Sequence, residues 1–310
     1  MKDFEYTAPQ TLREAVKLLA EKGESARVLA GGTDLIVQMR GRRFQPERVV
    51  DIKAIPEVNE LSFTARKGLR IGAAVPCHLV YRDAEVVERF PGITDSAMII
   101  GGIQIQGRAT LGGNLCNAAP SADSIPTMIA YGATAEVQGP EGKRKIPVEE
   151  FCTAPGNNAL KPGEMLVCIQ VPQNKKNCGA HYLRFTPRNE MDIAVVGVGA
   201  YVELGGRGKG QTFKSVRIAL GAVGPTPIFA RNASAALEGQ PVSEESILTA
   251  AEAAKSEARP ISDMRGPAEY RTHLVGVLTK RALIGAVKRA RGQHVPNATQ
   301  ENGTPVYTLS

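Results

Sequence analysis

Tryptophan is absent from this chain of 310 residues, and all aromatic residues together make up 5% of it. A net charge of +7 therefore comes without the aromatic platforms that basic nucleic-acid surfaces use, and a nucleic-acid partner is not expected. No apolar run approaches the about 20 residues that a bilayer-spanning helix needs, so no membrane span is expected. The opening Met1-Lys2-Asp3-Phe4-Glu5-Tyr6 lacks the basic and apolar regions of a signal peptide, which points to the cytoplasm. Cys77, Cys116, Cys152, Cys168 and Cys178 include no C-x-x-C pair; they read as free thiols, and no iron–sulfur cluster is expected on this chain. Paired catalytic carboxylates and a Ser–His–Asp order are not evident, and His78, His181, His273 and His294 stand isolated. What remains is an ordinary globular composition, with 43% hydrophobic and 22% charged residues, long enough for two or three packed units.

Two glycine pairs carry the most information. They are Leu29-Ala30-Gly31-Gly32-Thr33-Asp34-Leu35 and Thr110-Leu111-Gly112-Gly113-Asn114-Leu115-Cys116-Asn117. Each is read as following a strand, where glycine lets a bare backbone approach a ligand closely. Successive N–H groups in such a turn form an anion site, and neighbouring Thr and Asn side chains add neutral donors, an arrangement that suits a diphosphate. Neither segment ends in the G-K-[ST] of a P-loop or has the G-x-G-x-x-G spacing. A lone Gly-Gly is also an ordinary bulge or turn.

Around these segments, Thr11-Leu12-Arg13-Glu14 is a capping box that opens a helix over 12–22, with Gly23 placed to end it. Strands are predicted at Arg27–Ala30 and Arg48–Ile52, with a helix from Asp34 to Met39 between them. The middle of the chain alternates strands near 69–73 and 133–138 with helices near 77–89, 91–101 and 122–131. Gly139-Pro140-Glu141-Gly142 makes a turn between two short strands, and Met165 to Val171 is a further β run. Residues 173–179 read as a linker. Beyond them come β runs at 194–204 and 213–220, then helices near 243–258 and 267–290. Strands followed by helices give an α+β unit. The expected division is 1–58 and 59–174 as two subdomains, 180–291 as a C-terminal domain, and 292–310 as a mobile or partner-binding tail.

The glycine segments in this order, followed by Ala119-Pro120-Ser121-Ala122-Asp123, resemble the FAD-binding medium subunits of the molybdenum hydroxylases, such as those of carbon monoxide and xanthine dehydrogenases. The resemblance runs from about residue 3 to about residue 290. It implies an α+β fold: a two-part FAD-binding domain of the vanillyl-alcohol oxidase and p-cresol methylhydroxylase type, then a C-terminal domain with an antiparallel sheet and helices. It implies non-covalent FAD, because no histidine lies within a flavin motif. Molybdopterin and [2Fe–2S] clusters would belong to a large and a small partner subunit, with the whole assembled as a dimer of heterotrimers. The chain would pass electrons from the clusters to NAD, a quinone or oxygen.

The same resemblance gives cofactor-binding roles to Val28, Leu29, Ala30, Gly31, Gly32, Thr33 and Asp34, to Ile100 and Gly101, and to Thr110, Gly112, Gly113 and Asn114. It adds Ala118, Ser121, Asp123, Leu166 and Arg184. Asp123 matches an acid that bonds flavin ribityl or ribose hydroxyls, and it is equally suited to cap the helix that follows. Arg184 stands where lysine is frequent beside the flavin; it could instead be a surface arginine in an ion pair. In Gln104-Ile105-Gln106-Gly107-Arg108-Ala109-Thr110, Gln106 and Gly107 replace an arginine and an asparagine common in such subunits. The basic groups Arg40-Gly41-Arg42-Arg43 and Lys288-Arg289-Ala290-Arg291 read as solvated faces or as docking surfaces for a more acidic subunit. A stand-alone FAD oxidase of the same fold and a basic binding module without redox chemistry are the competing readings.

Overall fold

The computed structural model of the protein describes residues 1–188 and 191–296, apart from the side chain of Lys209. Most of the expected tail, from 297 onward, lies outside the described residues. The chain begins as a parallel three-stranded sheet in the order Glu5–Thr7, Arg48–Asp51, Ala26–Leu29. The helix Leu12–Lys22 packs on it through buried Ala15, Val16 and Leu19. Thr11 caps this helix by accepting from the Glu14 N–H at 3.2 Å. The Glu14 carboxylate reaches back one residue further than a capping box requires, to the N–H of Gln10.

A second, antiparallel sheet of five strands follows, ordered Leu61–Thr64, Gly68–Gly72, Met165–Val171, Thr134–Gly139, Gly142–Pro147. Gly139 pairs with Gly142 across the expected turn. Between the second and third strands of the chain order in this sheet lies a run of short helices. The single helix expected over 77–89 is two, Cys77–Val80 and Ala84–Arg89, because Asp83 caps a new helix by accepting from the Val86 N–H. The larger correction concerns the second glycine pair. It does not follow a strand; it forms the first turn of the helix Leu111–Asn117, whose N-cap Thr110 accepts from the Gly113 N–H at 2.8 Å.

The C-terminal part is a four-stranded antiparallel sheet, Cys178–Phe185, Val196–Gly205, Thr212–Gly221 and Ile228–Phe229. Its first strand begins at Cys178, inside the stretch read as linker, and a short chain joins it to the previous sheet. The 23-residue helix Ala268–Ala290 covers this sheet. Its buried stripe runs through Leu274, Val275, Leu278 and Ala282, whereas Arg281 is exposed. The helix Ser124–Ala130 packs against Val196–Gly205 and Thr212–Gly221, so the strand Val196–Gly205 is buried at almost every position. Two apolar cores result, one drawn from Ala15 to Ala180 with Ala219 and one from Leu183 to Val287.

Charged groups join the two parts. Arg289 on the long helix makes two hydrogen bonds to Asp95, at 2.5 and 2.9 Å, and Asp95 also accepts from His181 Nδ1 at 2.8 Å and the Tyr182 N–H at 3.1 Å. Burial alone would raise the Asp95 carboxyl, but Arg289 and His181 hold it below the ordinary aspartate range. His181 is pushed the other way, towards its neutral form, by burial.

Candidate functional site

A cavity of about 630 Å³ opens between the parallel and antiparallel sheets, with both glycine segments on its walls. From the first segment it takes Val28, Ala30, Gly31, Gly32, Thr33 and Asp34; from the second, Thr110, Gly112, Gly113 and Asn114. Ile100 and Leu166 complete the set of expected residues found there. Leu29, Gly101, Ala118, Ser121, Asp123 and Arg184 are not among the lining residues.

The first segment turns from the strand Ala26–Leu29 into the helix Leu35–Arg40. Gly32 has φ of +79°, a conformation that glycine adopts without strain. Among the described residues, the backbone N–H groups of Gly31, Gly32, Thr33 and Asp34 have no acceptor in the protein. Four consecutive donors at a cavity wall without protein partners are the feature expected of an anion cradle, and this donor set fits the diphosphate of a dinucleotide.

The glycines serve different ends. A Cβ on Gly31 would lie 2.1 Å from the Arg108 carbonyl oxygen, and one on Gly112 would lie 2.5 Å from that of Ala73. These two positions allow backbone to meet backbone within the protein. At Gly113 a Cβ would meet only Thr110 Oγ1, at 3.0 Å. Gly113 therefore belongs to the ligand side, and its neighbour belongs to the packing. The Arg108 side chain also donates to the Gly31 carbonyl at 3.3 Å, so the two segments are joined directly. Asn114 uses its carboxamide oxygen on Ser124 Oγ at 2.6 Å, which leaves its NH2 as the donor available to the cavity.

Asp123 is at the start of the helix Ser124–Ala130, but its side chain makes no capping bond. Its two oxygens accept from Tyr182 Oη at 3.0 Å and Arg184 Nη1 at 2.7 Å. Arg184 is accordingly in an ion pair, and a buried one, with both side chains no more than 10% exposed. Burial pushes the Asp123 carboxyl up to about 6 against the pull of Arg184 and Tyr182. Tyr182 ties the two acidic clusters together, since its N–H serves Asp95 and its hydroxyl serves Asp123.

The remaining expected residues brace the site. Ala118 ends the second glycine helix in the left-handed region at φ of +48° and accepts from the Gly156 N–H. Gly101 accepts from the Met191 N–H. Gln106 is buried, donates to the carbonyls of Met98 and Ile100 and accepts from Tyr81 Oη. Its departure from the usual arginine thus concerns support of the Ile100 turn. Sequence reasoning missed Arg27, Arg43 and Phe44, which also line the cavity. Arg27 was legible only as the start of a strand, and Arg43 only as the end of a basic run that reads as a solvated face.

Comparison with known proteins places these features in a family. Residues 2–174 match the FAD binding domain in molybdopterin dehydrogenase, and residues 181–286 match the CO dehydrogenase flavoprotein C-terminal domain. The chain is 32% identical to the xanthine dehydrogenase FAD-binding subunit of Escherichia coli O157:H7, over 94% of this chain and 99% of that protein. It is 33% identical to the carbon monoxide dehydrogenase medium chain of Hydrogenophaga pseudoflava, over 92% and 98%. Among solved structures, reconstituted CO dehydrogenase from Oligotropha carboxidovorans superposes with a TM-score of 0.88 at 32% identity, covering 93% of this chain and 99% of the matched one.

Proposed function

Because this chain belongs to the family of FAD-binding subunits of carbon monoxide and xanthine dehydrogenase-type molybdenum hydroxylases, we propose that it holds FAD across its two glycine segments as the electron-transfer component of such an oxidoreductase complex. The observation that carries this reading is the row of unpartnered N–H groups from Gly31 to Asp34 on the wall of a dinucleotide-sized cavity. Residues of both 1–58 and 59–174 line the cavity, and Met191 of the C-terminal part donates its N–H to the Gly101 carbonyl next to Ile100.

FAD, when bound, links one-electron donors to two-electron acceptors. The residues of this chain bind and orient it. The N–H groups of Gly31 to Asp34 hold the diphosphate, with the Asn114 NH2 as a further donor. Val28, Ala30 and Leu166 exclude water along the apolar walls. Leu29, Gly101, Ala118 and Ser121 shape the turns on which those groups stand. Asp123 and Arg184 do not line the cavity; locked to each other and to Tyr182, they fix the start of the helix Ser124–Ala130 against the strand Cys178–Phe185. FAD is held without a covalent bond.

Electrons arrive from the [2Fe–2S] clusters of a small subunit, whose own source is a large molybdopterin subunit, and leave to NAD, a quinone or oxygen. The complex is a dimer of heterotrimers in the cytoplasm. Similarity to named medium and FAD-binding subunits over nearly the whole chain supports this assignment. The test is purification of the tagged chain from its own cells. Two companion polypeptides carrying molybdenum and iron are expected. A solitary yellow protein that oxidises an organic substrate by itself would establish the stand-alone oxidase instead.

A further inference from the structure

Among the described residues the exposed methionines are Met1, Met191 and Met264, at 62%, 53% and 94%. Of these, Met191 carries backbone strain: its φ of +52° lies in the left-handed region, which a residue with a side chain keeps only when its surroundings hold it there. Three contacts hold it. Its N–H donates to the Gly101 carbonyl at 3.3 Å, and its own carbonyl accepts from Arg188 Nη2 at 3.4 Å. Its side chain lies on Gly102, where a Cβ would stand 2.8 Å from the sulfur and 3.2 Å from Cγ. The bare glycine makes the room that the thioether fills. The nearly buried Asp192 carboxylate fixes the same turn by accepting from the N–H groups of Arg188 and Ile193, at 3.0 and 2.8 Å. Gly101 follows Ile100, which lines the cavity, so Met191 ties the C-terminal part to a turn of the cavity wall.

We propose that Met191 is a site of reversible oxidation by hydrogen peroxide, and that its sulfoxide loosens the cavity wall at Ile100. This rests on the FAD reading and adds regulation to it, since peroxide forms when a reduced flavin gives both its electrons to dioxygen. In the reaction the O–O bond of peroxide breaks, one oxygen bonds to the Met191 sulfur and the other leaves as water; the sulfur loses two electrons and the peroxide gains them. An apolar, flexible group thereby becomes a polar one. With Met191 half exposed, the polar group turns to solvent, and the strained backbone loses the packing that holds it. The bond from its N–H to Gly101 goes with that packing. The buried Gln106 still holds the Ile100 carbonyl at 3.2 Å, so the wall loosens without coming apart. Met264, more exposed still, stands on the turn that Arg271 holds through Asp263 and provides the internal control.

The experiment treats the FAD-loaded full chain with graded hydrogen peroxide, locates sulfoxide by peptide mass and measures FAD affinity by flavin fluorescence, in the parent, Met191→Leu and Met264→Leu. Leucine keeps the apolar bulk without the sulfur. Peroxide is expected to oxidise Met191 and to weaken FAD by about tenfold in the parent and in Met264→Leu, while Met191→Leu keeps its affinity. Methionine sulfoxide reductase is expected to restore the parent, a readout that needs no variant. Met191 left unoxidised where Met264 is converted, full conversion of Met191 with unchanged affinity, an equal loss in Met191→Leu, or a loss that the reductase does not reverse would each overturn the proposal. A parent that binds no FAD before peroxide overturns the FAD reading and this proposal with it, whereas a parent that binds FAD and gives any of those four results removes this proposal alone.

Discussion

The carbonyl oxygen of Arg108 occupies the space that a side chain on Gly31 would need, 2.1 Å from the ideal Cβ position. The two glycine segments thus form one unit: the first bears the free donors, and the second holds it in place through its preceding residues. This contact separates glycines that protect the fold from glycines that leave room for a ligand.

Gly31→Ala should therefore disrupt the packing of both segments and lower stability as well as flavin content. Gly113→Val, whose Cβ meets only the Thr110 hydroxyl at 3.0 Å, does not lose helix propensity by replacing glycine and should fold with little loss of stability while losing FAD. Chemical unfolding and flavin content of the two variants check this. A Gly113→Val protein with full flavin content contradicts the role of that position.

Asp95 joins the two halves of the molecule through Arg289 and His181. Removing it in Asp95→Ala leaves the buried Arg289 guanidinium without its carboxylate, at a cost of about 3–5 kcal/mol. Urea unfolding measures the loss. A change below about 1 kcal/mol would show that the pair contributes no more than a surface salt bridge.

Asp123 makes a prediction about pH. Its folded-state value of about 6 lies above the about 3.9 of an exposed aspartate, so the folded chain binds this proton first as pH falls. The stability it contributes is fully present below about 3.9 and is lost as pH rises through about 6. Asp123→Asn removes that proton uptake, so the variant should lose more stability than the parent between pH 7 and pH 5. His181, held towards its neutral form by burial, acts in the opposite sense in both proteins and drops out of the comparison. Parallel pH profiles from urea unfolding would contradict the raised carboxyl.

The sequence was most legible where the signal was local. The helix after Thr11, its end at Gly23, the β run Met165–Val171 and the turn at Gly139–Gly142 all depend on neighbours within a few residues. The second glycine pair misled because Gly-Gly reads as a turn, and only the Thr110 hydroxyl bonded to the Gly113 N–H reveals a helix start. Asp123 was singled out in the sequence, but its partners lie 59 and 61 residues away, and no spacing rule connects them. Asp95 and Arg289 are 194 residues apart, and Arg289 had only the appearance of a solvated charge. Arg43 was hidden in the same way, since the run Arg40-Gly41-Arg42-Arg43 gives no sign that its last member turns towards a cavity.

The most direct test of the central claim is the visible absorption spectrum of the purified chain, taken with the mass of whatever chromophore acid releases from it. The account predicts a yellow protein that releases intact FAD in a one-to-one ratio. A colourless chain that takes up no FAD on reconstitution would contradict it.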